Sequence, residues 1–163
     1  RRKPAPSVVK IPCMSETVRK PGPYGGGCQC GAVRFSIDGP LGKAGICHCR
    51  MCQKAFGNFF GPLVSTEGLV WTRGERKIFK SSTKFGRGFC EDCGTPLSHE
   101  FDGGMEVSIG SLDNPSNAKP TVQVNASLAL AYSSSLDDLP CVEAANENET
   151  KELISNQHPD FDT

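Results

Sequence analysis

An all-β domain is what this chain of 163 residues predicts, and three features carry that prediction. The 18 glycines and 12 prolines beside an apolar fraction of 37% imply many short elements separated by turns. One run alternates apolar and polar residues with the period of two of a half-buried strand, and several further short strand-like runs are punctuated by Gly, Asn and Pro. Helix signals are sparse, and no unit of about 20 to 50 residues recurs as it would in a repeat architecture.

Taken in order, the chain starts with "KPAPSVVKIPCMSETVRKPGPYGGG", which is rich in Pro and Gly and follows neither period. It reads as an extended arm over residues 1–24, ahead of a domain over 25–140. Ala32 to Ile37 alternates, with Val33, Phe35 and Ile37 on one face and Arg34 and Ser36 on the other, until Asp38-Gly39-Pro40 turns the chain. Further strands are expected over Phe59 to Val64, Gly68 to Trp71, Lys77 to Ser81, Met105 to Ile109 and Thr121 to Ala126. Arg50 to Phe56 suits a short helical turn, and Glu147 to Ser155 a terminal helix within an acidic tail over 141–163.

The 18 basic and 18 acidic residues cancel, but they are unevenly placed. Arg1 to Tyr24 hold six basic residues against Glu16, and Asp137 to Thr163 hold eight acidic residues against Lys151. Both ends read as solvated tails. The neutral middle, with one Trp and two Tyr in the whole chain, lacks the basic, aromatic face that nucleic acid requires. No apolar run approaches the roughly 18 residues that span a bilayer, so a cytoplasmic protein is expected, although Arg1 leaves room for a removed leader.

Seven of the nine cysteines form three clusters: Cys28 and Cys30 in "GGCQCG", Cys47, Cys49 and Cys52 in "CHCRMC", and Cys90 and Cys93 in "GFCEDCG". Cys13 and Cys141 stand alone. Disulfides suit these spacings poorly, because C-x-C and C-x-x-C pairs have little room for the required geometry and seven thiols cannot pair evenly. The same spacings let two sulfurs from one tight turn face a single ion about 2.3 Å away, as thiolates do around zinc. Gly31 and Gly94 follow the second sulfur of each pair and permit the positive φ that turns the chain back. Cys28, Cys30, Cys90 and Cys93 therefore suit a closed structural zinc site, joining turns some 60 residues apart.

Cys47, Cys49 and Cys52 would then hold a second zinc with one position left open, the usual arrangement of a catalytic site. The rival assignment makes His48 the fourth ligand, though in an extended C-H-C the middle side chain points away from its neighbours. Three thiolates leave a zinc site with a net charge of about −1, which acidifies water poorly and favours a soft ligand such as a thiol held as thiolate. Arg50 could offset that charge or receive a substrate carboxylate, and with Gln53 it is a candidate substrate contact; a solvent-facing cation is the plainer alternative. Ser81, Ser82, Thr83 and Arg87 could line a pocket or form a polar strand edge. His99 and His158 have no partner identifiable from sequence.

"GGCQCGAVRFSI", "CHCRMCQKAFG", "GRGFCEDCGTPL", "PTVQV" and "DDLP" resemble, in order and spacing, the glutathione-dependent formaldehyde-activating enzyme family, which includes centromere protein V. The resemblance runs from about Gly25 to Pro140. It implies a zinc-stapled, β-tent-like fold of three small antiparallel sheets, with Zn²⁺ at both sulfur groups, structural at the C-x-C and C-x-x-C sulfurs and catalytic at the central three. It also implies joining of glutathione to formaldehyde as S-(hydroxymethyl)glutathione, formally a carbon-sulfur lyase run backwards. Gln123 and Tyr132 stand roughly where the family often carries His and Trp. A non-catalytic zinc module that binds another protein is the competing function, and zinc-knuckle binding of nucleic acid ranks below both.

Overall fold

The computed structural model describes residues 23–142 and 154–159. Most of the predicted arm lies outside the described residues, as does the predicted terminal helix except for Ile154 and Ser155, which are not helical. The described chain is mostly β. Its strands are β1 (Tyr24–Gly27), β2 (Arg34–Ile37), β3 (Leu41–Cys47), β4 (Gly61–Thr66), β5 (Leu69–Arg73), β6 (Lys77–Lys80), β7 (Phe85–Phe89), β8 (Pro96–Phe101), β9 (Gly104–Ser108) and β10 (Val122–Val124). The α-helix α1 (Arg50–Phe56) follows β3, and short 3₁₀ turns fill the stretch after β9.

Two sheets form where the resemblance implies three. One has the order β1-β2-β5 and the other β10-β3-β4-β9-β8-β7-β6. Pairing of β8 with β9 merges what would be two smaller sheets into the seven-stranded one. The strands pair antiparallel throughout, except that β10 returns parallel to β3.

The core lies between the sheets. Phe35 and Ile37 of β2, Val64 of β4, Leu97 of β8 and Val107 of β9 are fully buried and form its centre. Phe35 meets Trp71 edge-on at 5.5 Å between ring centroids, and the Arg76 guanidinium covers the Trp71 ring at 4.4 Å. Gly26 in β1 lies so close to Phe35 that a Cβ there would stand 2.3 Å from the ring, so glycine is what lets this strand cross the core aromatic. Arg34 departs from the simple pattern. Its residue is only 2% exposed, and Nη2 donates to Asp113 Oδ2 at 2.7 Å, tying β2 to the turn after β9.

Candidate metal centres

The three sequence clusters gather into two sulfur groups. Cys28 and Cys30, in the turn after β1, meet Cys90 and Cys93, in the turn between β7 and β8, with all four sulfurs within 4.8 Å of one another. Tetrahedral zinc with Zn–S near 2.3 Å implies sulfurs about 3.8 Å apart. Cys28 Sγ stands 3.5 Å from Cys30 Sγ, and Cys30 Sγ 3.8 Å from Cys90 Sγ, so the donor set fits. Gly31 and Gly94 adopt φ of 78° and 76°, as the knuckle reading requires. The Val33 N–H donates to Cys28 Sγ at 3.2 Å, and the Thr95 hydroxyl lies 3.1 Å from Cys93 Sγ.

Cys47, Cys49 and Cys52 form the second group, again within 4.8 Å. β3 delivers Cys47 at its last residue, Cys49 caps α1 with its sulfur accepting the Cys52 N–H at 3.4 Å, and Cys52 lies on the buried face of the helix. None of the eight described cysteines is disulfide-bonded.

His48 is turned away from this group. Its Nε2 lies 2.9 Å from Gln123 Oε1, its own N–H donates to Val124 O, and the ring is buried beside Phe60. The extended backbone thus separates it from the flanking sulfurs, and Gln123 has a local task in holding it. Gln53 is buried too. Its Nε2 donates to the His48 carbonyl at 2.8 Å and to that of Leu128 at 3.4 Å, while its Oε1 accepts from Arg50 Nη1 at 3.2 Å. These bonds use its amide to fix the loop between β3 and α1, while Arg50 itself is exposed and lines a cavity.

Three neighbours of the second group gain partners that the sequence did not identify: Arg87, named there only as a pocket or strand-edge residue, His99, named without a partner, and Asn125, not named. Arg87, 8% exposed, donates from Nη2 to Cys52 Sγ at 3.5 Å. Asn125, the one described non-glycine residue with a positive φ, directs Nδ2 to Cys47 Sγ at 3.7 Å. His99 pairs through Nδ1 with Glu106 Oε2 at 3.2 Å, between Phe85 and Phe101, and its Nε2 is buried without a partner. A cavity of about 260 Å³ is lined by His99, Glu106 and Lys43 together with Cys47 and Cys52. The "RG" before "FC" was the one local signal, since Arg87 and Asn125 meet their sulfurs from 35 and 78 residues away and the His99–Glu106 pairing depends on strand register. His158 also acquires contacts, its N–H donating to Gln29 O at 2.8 Å while its ring covers Gly31.

The thiols differ sharply without an ion. Burial pushes Cys52 up to about 12, with Cys47 adding to the rise and Arg87 opposing it. Burial likewise pushes Cys90 up to about 12 against hydrogen bonds from the Cys93 and Asp92 backbone. Burial also acts upward on Cys93, but hydrogen bonds from the Thr95 hydroxyl and backbone outweigh it and bring this thiol down to about 6. Cys49 is lowered, the upward push of burial being exceeded by the Cys52 N–H and the neighbouring sulfurs. Each group therefore combines a thiol lowered from its usual range with one that burial pushes up to about 12.

A mostly β chain with two sulfur clusters suited to zinc is the class that this fold and these sites define. The model of the glutathione-dependent formaldehyde-activating enzymes matches residues 23–127, and the chain belongs to that family. A crystal structure of a Rhodobacter sphaeroides protein is 23% identical, covering 62% of this chain and 99% of that one, with a TM-score of 0.47.

Proposed function

We propose that this protein is a zinc-dependent enzyme that joins a thiol to a carbonyl carbon, with glutathione and formaldehyde as the pair suggested by the family's name. The observation that carries the reading is the group of Cys47, Cys49 and Cys52, which has no fourth His, Cys, Asp or Glu donor among the described residues and borders a cavity. Zinc held there would supply a soft, electrophilic position at which a thiol is bound as thiolate at neutral pH. The four-sulfur group is the structural counterpart, since its donors are complete.

In the reaction, a sulfur lone pair forms the S–C bond, the carbonyl π pair moves onto oxygen, and that oxygen takes the proton the thiol lost. His99, which lines the cavity, is the residue assigned to carry that proton, with Glu106 orienting its ring. Arg87 keeps a positive charge against Cys52 and opposes the accumulation of negative charge among the sulfurs. Gln53 and Asn125 act as positioning residues for the loop and for Cys47. The arm over 1–24 and the acidic tail over 141–163 are assigned no part in the chemistry.

Because thiols also add to formaldehyde spontaneously and reversibly, the test is the exchange rate of ¹³C-formaldehyde with glutathione by NMR above the protein-free rate, on protein shown by elemental analysis to hold two zincs per chain. Acceleration that disappears in Cys49→Ser while the four-sulfur zinc remains supports the proposal. Two bound zincs with no acceleration for glutathione or other small thiols would leave a non-catalytic zinc module.

A further inference from the structure

A second, larger cavity of about 550 Å³ lies between α1 and strands β6 to β8, and no cysteine lines it. We infer that it is a binding site for a small organic carboxylate with an apolar body and no cationic group. This goes beyond the thiol chemistry proposed above and does not depend on it.

Charge is the first support. Arg50, Lys54 and Arg87 all line the cavity, and no Asp or Glu does. Arg50 and Lys54 are four residues apart on α1, where like charges destabilise a helix, so helix stability does not explain them. Arg87 is the second and independent support. It is 92% buried, its Nη2 is engaged with Cys52, and its Nε and Nη1 have no partner. Buried guanidinium N–H groups without acceptors are costly, and a carboxylate oxygen is the acceptor that best offsets the cost. Since Arg87 touches Cys52, the same cation would link an occupied cavity to the three-sulfur group.

The walls decide the rest of the ligand. Phe56, Phe79 and Phe89 face the space, and Phe79 is 63% exposed on the edge strand, an aromatic surface that a ligand's apolar body would cover. An ammonium group would find three cations and no carboxylate among the lining residues. Glutathione, which carries one beside its carboxylates, is therefore a poor occupant of this space, whatever it does at the sulfurs.

The probe is 4-phenylbutanoate, titrated by calorimetry into zinc-loaded protein beside 4-phenylbutanol and 4-phenylbutylamine. The carboxylate should bind at least tenfold more tightly than the alcohol, with no measurable binding of the amine. Lys54→Glu and Phe79→Ser, at exposed positions that the fold does not need, should each weaken the carboxylate severalfold with zinc content unchanged. Arg87→Met should abolish binding, but the two exposed variants decide the matter if that one loses zinc. Equal binding of all three probes, or carboxylate binding indifferent to both exposed variants, would overturn the inference. Binding is read without turnover, so its failure is separate from failure of the thiol reaction.

Discussion

Single residues govern how the sulfurs meet a metal. Cys52 and Cys90, both pushed up to about 12 by burial, are protonated at neutral pH when no ion is present, so each must release a proton as its site fills. Raising the pH lowers that cost, so zinc affinity of each site should climb with pH, by about tenfold per unit for each proton released. Calorimetry of zinc uptake in two buffers of different ionisation heat should count those protons; none released would refute the reading. Arg87→Met removes the cation beside Cys52 and should weaken zinc at the three-sulfur group roughly 10- to 100-fold, read by chelator competition, with the four-sulfur group unaffected. His99→Gln should slow thiol–carbonyl exchange by about 10²-fold or more, while zinc content stays the same.

At the scale of elements, the fold relies on a few cross-links between strands and turns. Arg34 is buried in β2 and pairs with Asp113 in the turn after β9, so Asp113→Ala leaves a guanidinium without its counter-charge. Chemical denaturation should show a loss of about 3 kcal/mol. The strands rich in branched and aromatic residues were readable: β2, β4, β5, β6, β9 and β10 all overlap their expected spans, and α1 has the expected bounds. β1, β3, β7 and β8 were not. YGGG, LGKAGIC and FGRGF carry glycine where a strand usually carries a branched or aromatic side chain, and PLSHEF opens on proline. Their strand state comes from pairing with neighbours, and Gly26 shows the reason in β1, where a larger residue would collide with Phe35.

For the molecule as a whole, the four-sulfur group is a junction. Cys28 and Cys30 extend from the three-stranded sheet, and Cys90 and Cys93 from the seven-stranded one, so an ion there would fasten the two layers. With zinc loaded at both groups, chelation should therefore lower Tm sharply, whereas Cys49→Ser, which affects only the three-sulfur group, should leave most of the stability in place. Cys28 and Cys90 also belong to the buried core, so loss of metal would expose apolar contacts as well as thiols.

Sequence by itself determined the β class, the knuckle glycines and the division of seven cysteines into a group of four and a group of three, because spacing and turn chemistry are local properties. Only the tertiary structure decided what surrounds the sulfurs: Arg87 on Cys52 across 35 residues, Gln123 on His48 across 75, and the His99–Glu106 pair facing the cavity. Those contacts depend on strand register, and register is settled by how buried faces pack together rather than by any short run of residues.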